Sequence, residues 1–206
     1  MADPSRRTYG GKTSAERAAE RRARLVDATV HVLSRPGPTT MTAICTEAGL
    51  TERYFYESFA SLDDALLGAL DTVSTEILTA ASTIVAATPG SPEERVRAVM
   101  TAFVAYAREQ PDRVRLAVVH AQAFAPLRSR RTELLGTFAD LVADEARELF
   151  GDSAWSRDRA RAHGVVYIAG LAELVAGWLA GTLTLDDAAL VDVACDLFVA
   201  IGRRPA

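Results

Sequence analysis

The stretch TAICTEAGLTERYFYESF, from Thr42 to Phe59, predicts two short helices joined at a tight turn. Gly49 interrupts the helical pattern, and glycine readily takes the left-handed conformation that ends a helix. The small side chains of Cys45 and Ala48 would let the two helices cross closely. Two short helices that cross steeply at a glycine-containing turn are typical of a helix-turn-helix.

Four aromatic residues crowd into the second of these helices, and helical geometry sorts them into two sets. Successive residues advance by about 100° around the helix axis, which places Phe55 and Phe59 together on one face. Arg53 and Tyr54 lie on the opposite side, and Tyr56 falls on the flank. The two phenylalanines are therefore predicted to be buried, whereas the arginine and the two tyrosines are predicted to face outward.

An outward arginine and tyrosine in the first turn of the second helix suit a recognition helix, whose N-terminal residues meet base edges in the major groove. Arginine can pair bidentately with guanine, and tyrosine can reach a phosphate or a thymine methyl group. Thr40 and Thr51 stand where they can cap the two helices. Their hydroxyls and the helix N-termini are then placed where phosphates can bind.

The longer segment TTMTAICTEAGLTERYFYESFASLDDALL, from Thr39 to Leu67, resembles the DNA-binding core of the TetR family of bacterial transcriptional regulators. The family pattern has a threonine cap, a hydrophobic residue, an Ile-Ala pair, Ala-Gly-Val/Leu and a second Ser/Thr cap. A tyrosine, a phenylalanine three residues later and an acidic stretch with leucines follow. The matching residues are Thr40, Met41, Ile44-Cys45, Ala48-Gly49-Leu50, Thr51, Tyr56, Phe59, and Asp63 to Leu67.

The resemblance implies a role for each DNA-facing residue of this segment. Thr40 and Tyr56 would contact phosphates, and Thr42, Arg53 and Tyr54 would face bases. A second threonine would cap the recognition helix. Apart from the resemblance, Glu52 and Glu57 could select bases by rejecting others, because a glutamate can accept a hydrogen bond from the cytosine amino group. The predicted DNA-binding residues are Thr40, Thr42, Thr51, Glu52, Arg53, Tyr54 and Tyr56.

Negative charge on this surface departs from the family pattern. The family often has a lysine after the Ser/Thr cap and another before the acidic stretch, whereas this chain has Glu52 and Leu62. With Glu57, these residues leave open a second interpretation, a helical small-molecule sensor or scaffold with a degenerate DNA-binding head. The basic segment from Ser5 to Arg24 could compensate by entering the minor groove, or it could be a solvated tail.

Helical periodicity continues along the rest of the chain, and no run of alternating β-branched residues predicts a strand. We expect an all-α protein of about nine helices, with a three-helix N-terminal head and a C-terminal helical domain. The expected divisions are a disordered basic arm (1–14), a helix-turn-helix DNA-binding domain (15–61) and a ligand-binding and dimerisation domain (62–206). Residues 1–60 carry nine Lys and Arg against seven Asp and Glu, and the remainder carry 14 against 20. The sequence thus predicts a basic contacting end on an acidic body.

Dimerisation is expected because a single helix-turn-helix reads few base pairs. A two-fold dimer places two recognition helices one DNA turn apart, about 34–36 Å. The best predicted interface combines small residues of a helix near 157–180 with an apolar stripe of a helix near 185–202, and the resemblance implies the same pair, packed as a four-helix bundle. The predicted interface residues are Gly170, Ala176, Gly177, Ala180, Leu190, Val193, Leu197 and Ile201.

TetR-like proteins usually enclose a small-molecule pocket among their middle helices. The candidate pocket residues here are Phe103, Tyr106, His120, Phe124, Tyr167, Glu173 and Trp178. Each is individually better explained as a core residue, because aromatic side chains are common in cores. Glu173 needs a partner in its apolar helix. The partner could be a cationic or hydroxylated ligand group, or an arginine across the dimer, and the structural pairing is favoured.

Other classes of function receive little support from the sequence. Residues 164–185 imitate a membrane helix, but Glu173 near their middle would cost about 2.5–3.5 kcal/mol on insertion. No catalytic motif is recognisable, and the three histidines share no metal-ligand spacing. We expect no enzyme, metal, cofactor or membrane contact, and a cytoplasmic location. The predicted function is a homodimeric regulator of transcription, most often a repressor released from a palindromic operator in double-stranded DNA by a small-molecule effector.

Overall fold

The computed structural model describes residues 13–202, and every element assigned within that range is helical. The all-α expectation is confirmed, and the described part has nine helical segments when α6 and α7, joined by a π-helical turn, are counted as one. The predicted arm lies outside the described residues apart from residues 13 and 14, which cap and begin the first helix. The elements are α1 (Ser14–Ser34), α2 (Met41–Ala48), α3 (Glu52–Ser58), α4 (Leu62–Ala87), α5 (Pro92–Glu109), α6 (Pro111–Arg115), the π-helical turn (Leu116–His120), α7 (Ala121–Ala123), α8 (Ala125–Phe150), a 3₁₀ turn (Gly151–Ser153), α9 (Arg157–Leu179) and α10 (Asp187–Gly202).

Capping side chains fix where several of these helices begin. At α5 the hydroxyl of Ser91 accepts a hydrogen bond from the Glu94 backbone N–H (3.2 Å), and the Glu94 carboxylate accepts one from the Ser91 N–H (2.6 Å). This reciprocal pair satisfies two N–H groups that the helix cannot. At α10 the Asp186 carboxylate accepts a hydrogen bond from the Ala189 N–H at 2.8 Å.

The chain divides into two compact units within α4. One is Met1–Thr72, called the head below, and the other is Val73–Ala206, called the body. Each contains its own buried apolar residues, as the next two paragraphs describe.

The core of the head is built by α1, α2, α3 and the first turns of α4. Ile44, Phe55 and Phe59 are among its most deeply buried side chains. Gly68 of α4 faces Phe59 so closely that a Cβ atom there would lie 2.7 Å from the ring. The guanidinium of Arg22 lies 4.3 Å from the centre of the same ring. Phe59 therefore ties α1 and α4 to the end of α3.

The core of the body lies among α5, α8, α9 and α10. Met100 and Val104 of α5 pack in one cluster with Trp178 of α9 and with the inner face of α10. The closest helix contact is at Gly164 of α9, where a Cβ atom would lie 3.1 Å from the Ala139 Cα of α8 and nearer still to its carbonyl oxygen. Only glycine allows the two backbones to approach so closely.

A buried ion pair joins α5 to α8 inside the body. The Arg95 Nε atom donates to Glu145 at 3.0 Å, and both side chains are only about a tenth exposed. Its Nη1 donates to the Gly90 carbonyl at 3.0 Å, and its Nη2 lies 2.7 Å from the exposed carboxylate of Glu148. The buried carboxylate of Glu145 thus has a charged partner that also holds the loop before α5.

Each unit contains one cysteine, and neither forms a disulfide. Cys45 is buried in the head and Cys195 is buried in the body. Removal from water raises the pKa of both thiols, because burial disfavours the charged thiolate.

Candidate nucleic-acid interface

The helix-turn-helix geometry rests on Gly49 and the small residues before it. Gly49 has φ 60° and ψ 39°, the left-handed conformation predicted for the end of α2. Its N–H donates to the Thr46 carbonyl at 3.1 Å, and the next N–H, of Leu50, donates to Cys45 at 3.0 Å. Because Cys45 and Ala48 are small and buried, α3 can cross α2 at this point.

The aromatic residues of α3 are divided as helical angles predict. Phe55 and Phe59 are buried, and their ring centres lie 5.8 Å apart. Tyr54 is 36% exposed and Tyr56 is 60% exposed. The Arg53 side chain is 84% exposed. The two phenylalanines are buried and the other three side chains are exposed, as predicted. The outward surface of α3 therefore carries one arginine and two tyrosines.

The two predicted threonine caps behave differently. The Thr40 hydroxyl accepts a hydrogen bond from the Ala43 N–H at 3.2 Å, as predicted. Thr51 occupies the cap position of α3, but its hydroxyl makes no capping bond. The prediction fails because the N–H that this hydroxyl would accept, that of Tyr54, donates instead to the Thr51 carbonyl at 3.0 Å. The exposed Thr51 hydroxyl is left to meet another acceptor or donor.

A chain of contacts connects α1 to the outward side chains of α3. The Arg53 Nε atom donates to one carboxylate oxygen of Glu57 at 3.0 Å. The other oxygen of Glu57 lies 3.6 Å from the Arg21 Nη2 atom. The Arg21 guanidinium in turn lies 4.6 Å from the centre of the Tyr54 ring. Two arginines therefore flank the Glu57 carboxylate, which corrects the expectation that this residue makes the surface acidic.

The structure describes only part of the basic segment from Ser5 to Arg24, which was predicted to enter the minor groove or to form a solvated tail. Arg22 and Arg24 lie on α1, and their side chains donate to the carbonyls of Ser58 and Ala48. Both carbonyls stand at helix C-termini, where they have no partner within the helix. These arginines therefore brace α2 and α3 within the head. Residues 5–12 of the segment lie outside the described residues.

Two of the predicted ligand contacts are core residues. Tyr167 is buried and its hydroxyl donates to the Ala194 carbonyl at 3.1 Å, while burial raises its pKa. Trp178 is buried and its indole N–H donates to the Leu185 carbonyl at 3.2 Å. Because each polar group already has a backbone partner, both side chains serve the packing of the body.

The other ligand candidates are half-buried or exposed, and two of them, Tyr106 and Glu173, have polar partners in the chain. Tyr106 and Phe103 pack at the edge of the main core, and the Tyr106 hydroxyl lies 3.4 Å from Glu76. His120 ends the π-helical turn with its ring centre 6.5 Å from that of Phe124, and burial lowers its pKa. Glu173 is exposed and accepts a 2.6 Å hydrogen bond from the Gln122 side chain. The partner of Glu173 is thus a glutamine of the same chain, whereas a ligand group or an arginine across the dimer was predicted.

The body contains a small apolar pocket. It is formed between α8, α9 and α10. Its lining includes Val142, Ala146, Trp155, His163 and Phe198. None of the predicted ligand contacts lines this pocket.

An apolar surface on α9 and α10 contains three of the eight residues predicted for the dimer interface, namely Gly170, Val193 and Leu197. α9 is long and apolar enough to cross a membrane by length and composition, yet only 22% of its most apolar window is buried within the chain. Gly170 is exposed, and a Cβ atom added there would meet nothing within 4 Å, while Val193 and Leu197 are more than a third exposed. Val166, one turn before Gly170, is 65% exposed and escaped the sequence prediction.

Not every predicted interface residue lies on this surface. Leu190 is fully buried in the core of the body, so its assignment to the interface was wrong. α10 is apolar on two sides, and a stripe with helical spacing could not show which side faces the chain's own core. Ala176, Gly177 and Ile201 are partly buried and Ala180 is exposed. Gly177 approaches Leu183 of its own chain, since a Cβ there would lie 3.0 Å away.

Comparisons with known proteins identify the fold. Neither a protein-family model nor a curated protein matches the sequence. A TetR-like regulator from Rhodococcus sp. RHA1 is 21% identical with a TM-score of 0.67, and covers 88% of this chain and 94% of its own. The fatty acid degradation regulator FadR from Bacillus halodurans is 17% identical (TM-score 0.71; 86% and 97%). FadR from Bacillus subtilis, solved in complex with stearoyl-CoA, is 18% identical (TM-score 0.70; 86% and 97%). The chain has the all-helical fold of TetR-like regulators.

Proposed function

We propose that this chain is a DNA-binding transcriptional regulator that acts as a homodimer in the cytoplasm. The observation that carries the proposal is the surface of α3, where Arg53, Tyr54 and Tyr56 are exposed above a closed aromatic core. A recognition helix must present polar side chains to the major groove while its inner face stays packed against the rest of the domain. The fold shared with known regulators agrees with it.

Each outward group has a chemical task in this proposal. The Arg53 Nε atom is held by Glu57, and its two terminal amino groups can donate to O6 and N7 of a guanine. Tyr54 and Thr42 face neighbouring bases. The hydroxyls of Thr40, Thr51 and Tyr56 donate to phosphates, which sets the register of the head on the duplex.

The alternative of a degenerate head has lost part of its support. It rested on Glu52, Glu57 and the replacement of a family lysine by Leu62. Glu57 is flanked by two arginines, so its charge is partly compensated within the head. Glu52 remains and could accept from a cytosine amino group, which would make it part of the reading surface.

A dimer formed through α9 and α10 explains why so much apolar surface is exposed on one chain. Single exposed apolar residues are ordinary, but several of them on two helices that pack together favour an interface. Two-fold pairing would bring two copies of the surface around Val166, Gly170 and Leu197 together. It would also supply the second recognition helix that a palindromic operator requires.

Repression relieved by a small molecule is the regulatory mode we propose. The supporting feature is the π-helical turn that carries His120, because such turns are frequent at functional sites. Aromatic contacts in the same body are offered by Tyr106 and Phe124, which are half-buried. Polar contacts are offered by the exposed Gln122–Glu173 pair. An effector would release DNA only if it binds the non-binding conformation more tightly.

Selection of bound sequences from genomic DNA, followed by affinity measurements over a range of salt, tests the DNA-binding proposal. We expect a palindromic site whose log affinity falls with log salt at about −0.9 per neutralised phosphate. Tyr54→Ala should change base preference at its own position by about 1–3 kcal/mol. Tyr56→Phe should weaken all sites alike by about 1 kcal/mol, since it removes one hydroxyl. Absence of salt-sensitive binding to any sequence would contradict the proposal.

The dimer surface is tested by Leu197→Asp, which places a charge on the exposed side of α10. We expect the dimer dissociation constant to rise at least about tenfold, because a carboxylate would be buried in an apolar contact. Sedimentation velocity over a dilution series gives the constant. Val119→Asp, at a comparably exposed valine of the π-helical turn, is the matched control. Equal dissociation of both variants would show that the interface lies elsewhere.

A further inference from the structure

We infer that Glu57 is a positioning residue that sets base specificity by orienting Arg53 and Tyr54, the two side chains proposed to read bases. This inference rests on the proposed DNA-binding function. Glu57 is not among the DNA-binding residues predicted from the sequence. The role follows from how each of its two carboxylate oxygens is used.

The first oxygen restrains Arg53. Glu57 follows Arg53 by four residues, one turn along α3, and its Oε1 atom accepts from the Arg53 Nε at 3.0 Å. An arginine side chain that is 84% exposed would otherwise sample many rotamers. Ordering such a side chain on binding has a free-energy cost, and a contact that already restrains it in the free protein reduces that cost. The two terminal amino groups stay available as a planar fork for guanine.

The second oxygen connects the recognition helix to α1. The Glu57 Oε2 atom lies 3.6 Å from Arg21 Nη2, and the Arg21 side chain is only a quarter exposed. The Arg21 guanidinium lies 4.6 Å from the centre of the Tyr54 ring, within the range of a cation–π contact. Glu57 therefore fixes Arg53 directly, and it fixes Tyr54 through Arg21.

These contacts contribute little to the stability of the head. Exposed ion pairs stabilise proteins weakly, and the core of the head is formed by apolar side chains such as Ile44 and Phe55. A carboxylate beside the DNA backbone also repels phosphates, so it lowers affinity for every sequence alike. Glu57 is thus expected to weaken non-specific binding while it strengthens discrimination among bases, which is how a repulsive element improves specificity.

The test compares Glu57→Ala and Glu57→Gln with Glu47→Gln in the full-length protein. Glu47 is the matched control because it lies in the same head, pairs with Arg35 at 2.7 Å and loses the same charge. Affinity is measured for the selected operator, for its single-base variants and for an unrelated duplex. Thermal unfolding is recorded in parallel.

For Glu57→Ala we expect discrimination at the base pair read by Arg53 to fall about three- to tenfold, the size of the cost of ordering one long side chain. Affinity for the unrelated duplex should rise, and the unfolding midpoint should stay nearly unchanged. Glu57→Gln keeps an oxygen that can accept from the Arg53 Nε atom, so it should retain part of the discrimination. Glu47→Gln should leave discrimination unchanged.

Two results would overturn the inference. One is unchanged discrimination in Glu57→Ala. The other is an equal loss of affinity for all duplexes together with a lower unfolding midpoint, which would show a purely structural role. In both cases the unaltered protein still selects a sequence, so the proposed function survives. If the unaltered protein selects no sequence, the proposed function and this inference fail together.

Discussion

Replacing Arg95 with alanine is expected to lower the free energy of unfolding of the body by about 3–5 kcal/mol. The substitution leaves the Glu145 carboxylate buried without its charged partner. It also removes the hydrogen bond to the Gly90 carbonyl, which holds the loop before α5. A buried charge that loses its partner is far costlier than the loss of an exposed pair.

Arg97 is a control on the same helix, two residues away. It pairs with Asp192 at 2.6 Å, but both side chains are about half exposed, and Arg97→Ala should cost less than about 1 kcal/mol. Urea unfolding can be followed by tryptophan fluorescence, because both tryptophans, Trp155 and Trp178, belong to the body. Similar losses for Arg95→Ala and Arg97→Ala would contradict the argument from burial.

Gly164→Ala is expected to destabilise the body by about 3 kcal/mol, although alanine is the better helix former. A Cβ atom at this position would press on the Ala139 backbone, which cannot move aside as a flexible side chain could. The helices α8 and α9 would have to separate along their closest contact. This cost exceeds the gain of about 1 kcal/mol that alanine brings to a helix interior.

Gly170→Ala, on the same helix, should have the opposite effect on the single chain. Nothing in the chain lies within 4 Å of a Cβ atom at this position, so the substitution should stabilise it by up to about 1 kcal/mol. Both glycine variants are measured by urea unfolding in the Leu197→Asp background, where the proposed dimer contributes least. A destabilised Gly170→Ala or a neutral Gly164→Ala would contradict the described packing of α9.

The helix-turn-helix was predictable because its determinants are local. The period of α3 separates Phe55 and Phe59 from Tyr54 and Tyr56, and Gly49 marks the turn, so that helical angles alone predicted the burial of each ring. The Thr51 hydroxyl could not be judged in this way. The Tyr54 N–H could donate to the hydroxyl or to the carbonyl of Thr51, and the sequence does not show which of these two oxygens accepts.

Contacts between distant segments were beyond the reach of the sequence. A run of arginines in the first 24 residues was compatible with a free basic arm, but Arg22 and Arg24 bind carbonyls 36 and 24 residues further along. In the same way Leu190 and Leu197 share one apolar pattern in α10, and only tertiary packing distinguishes the buried one from the exposed one. The charge compensation of Glu57 by Arg21 belongs to this class too.

The reactivity of the two buried thiols can be used to measure local opening of the head and of the body. A thiol reagent cannot reach Cys45 or Cys195 until the surrounding helices separate, and one cysteine lies in each unit. The labelling rate at each sulfur, resolved by mass spectrometry of peptides, would therefore give the opening free energy of the head and of the body independently. An operator duplex or an effector that stabilises one unit would lower the labelling rate of the cysteine in that unit.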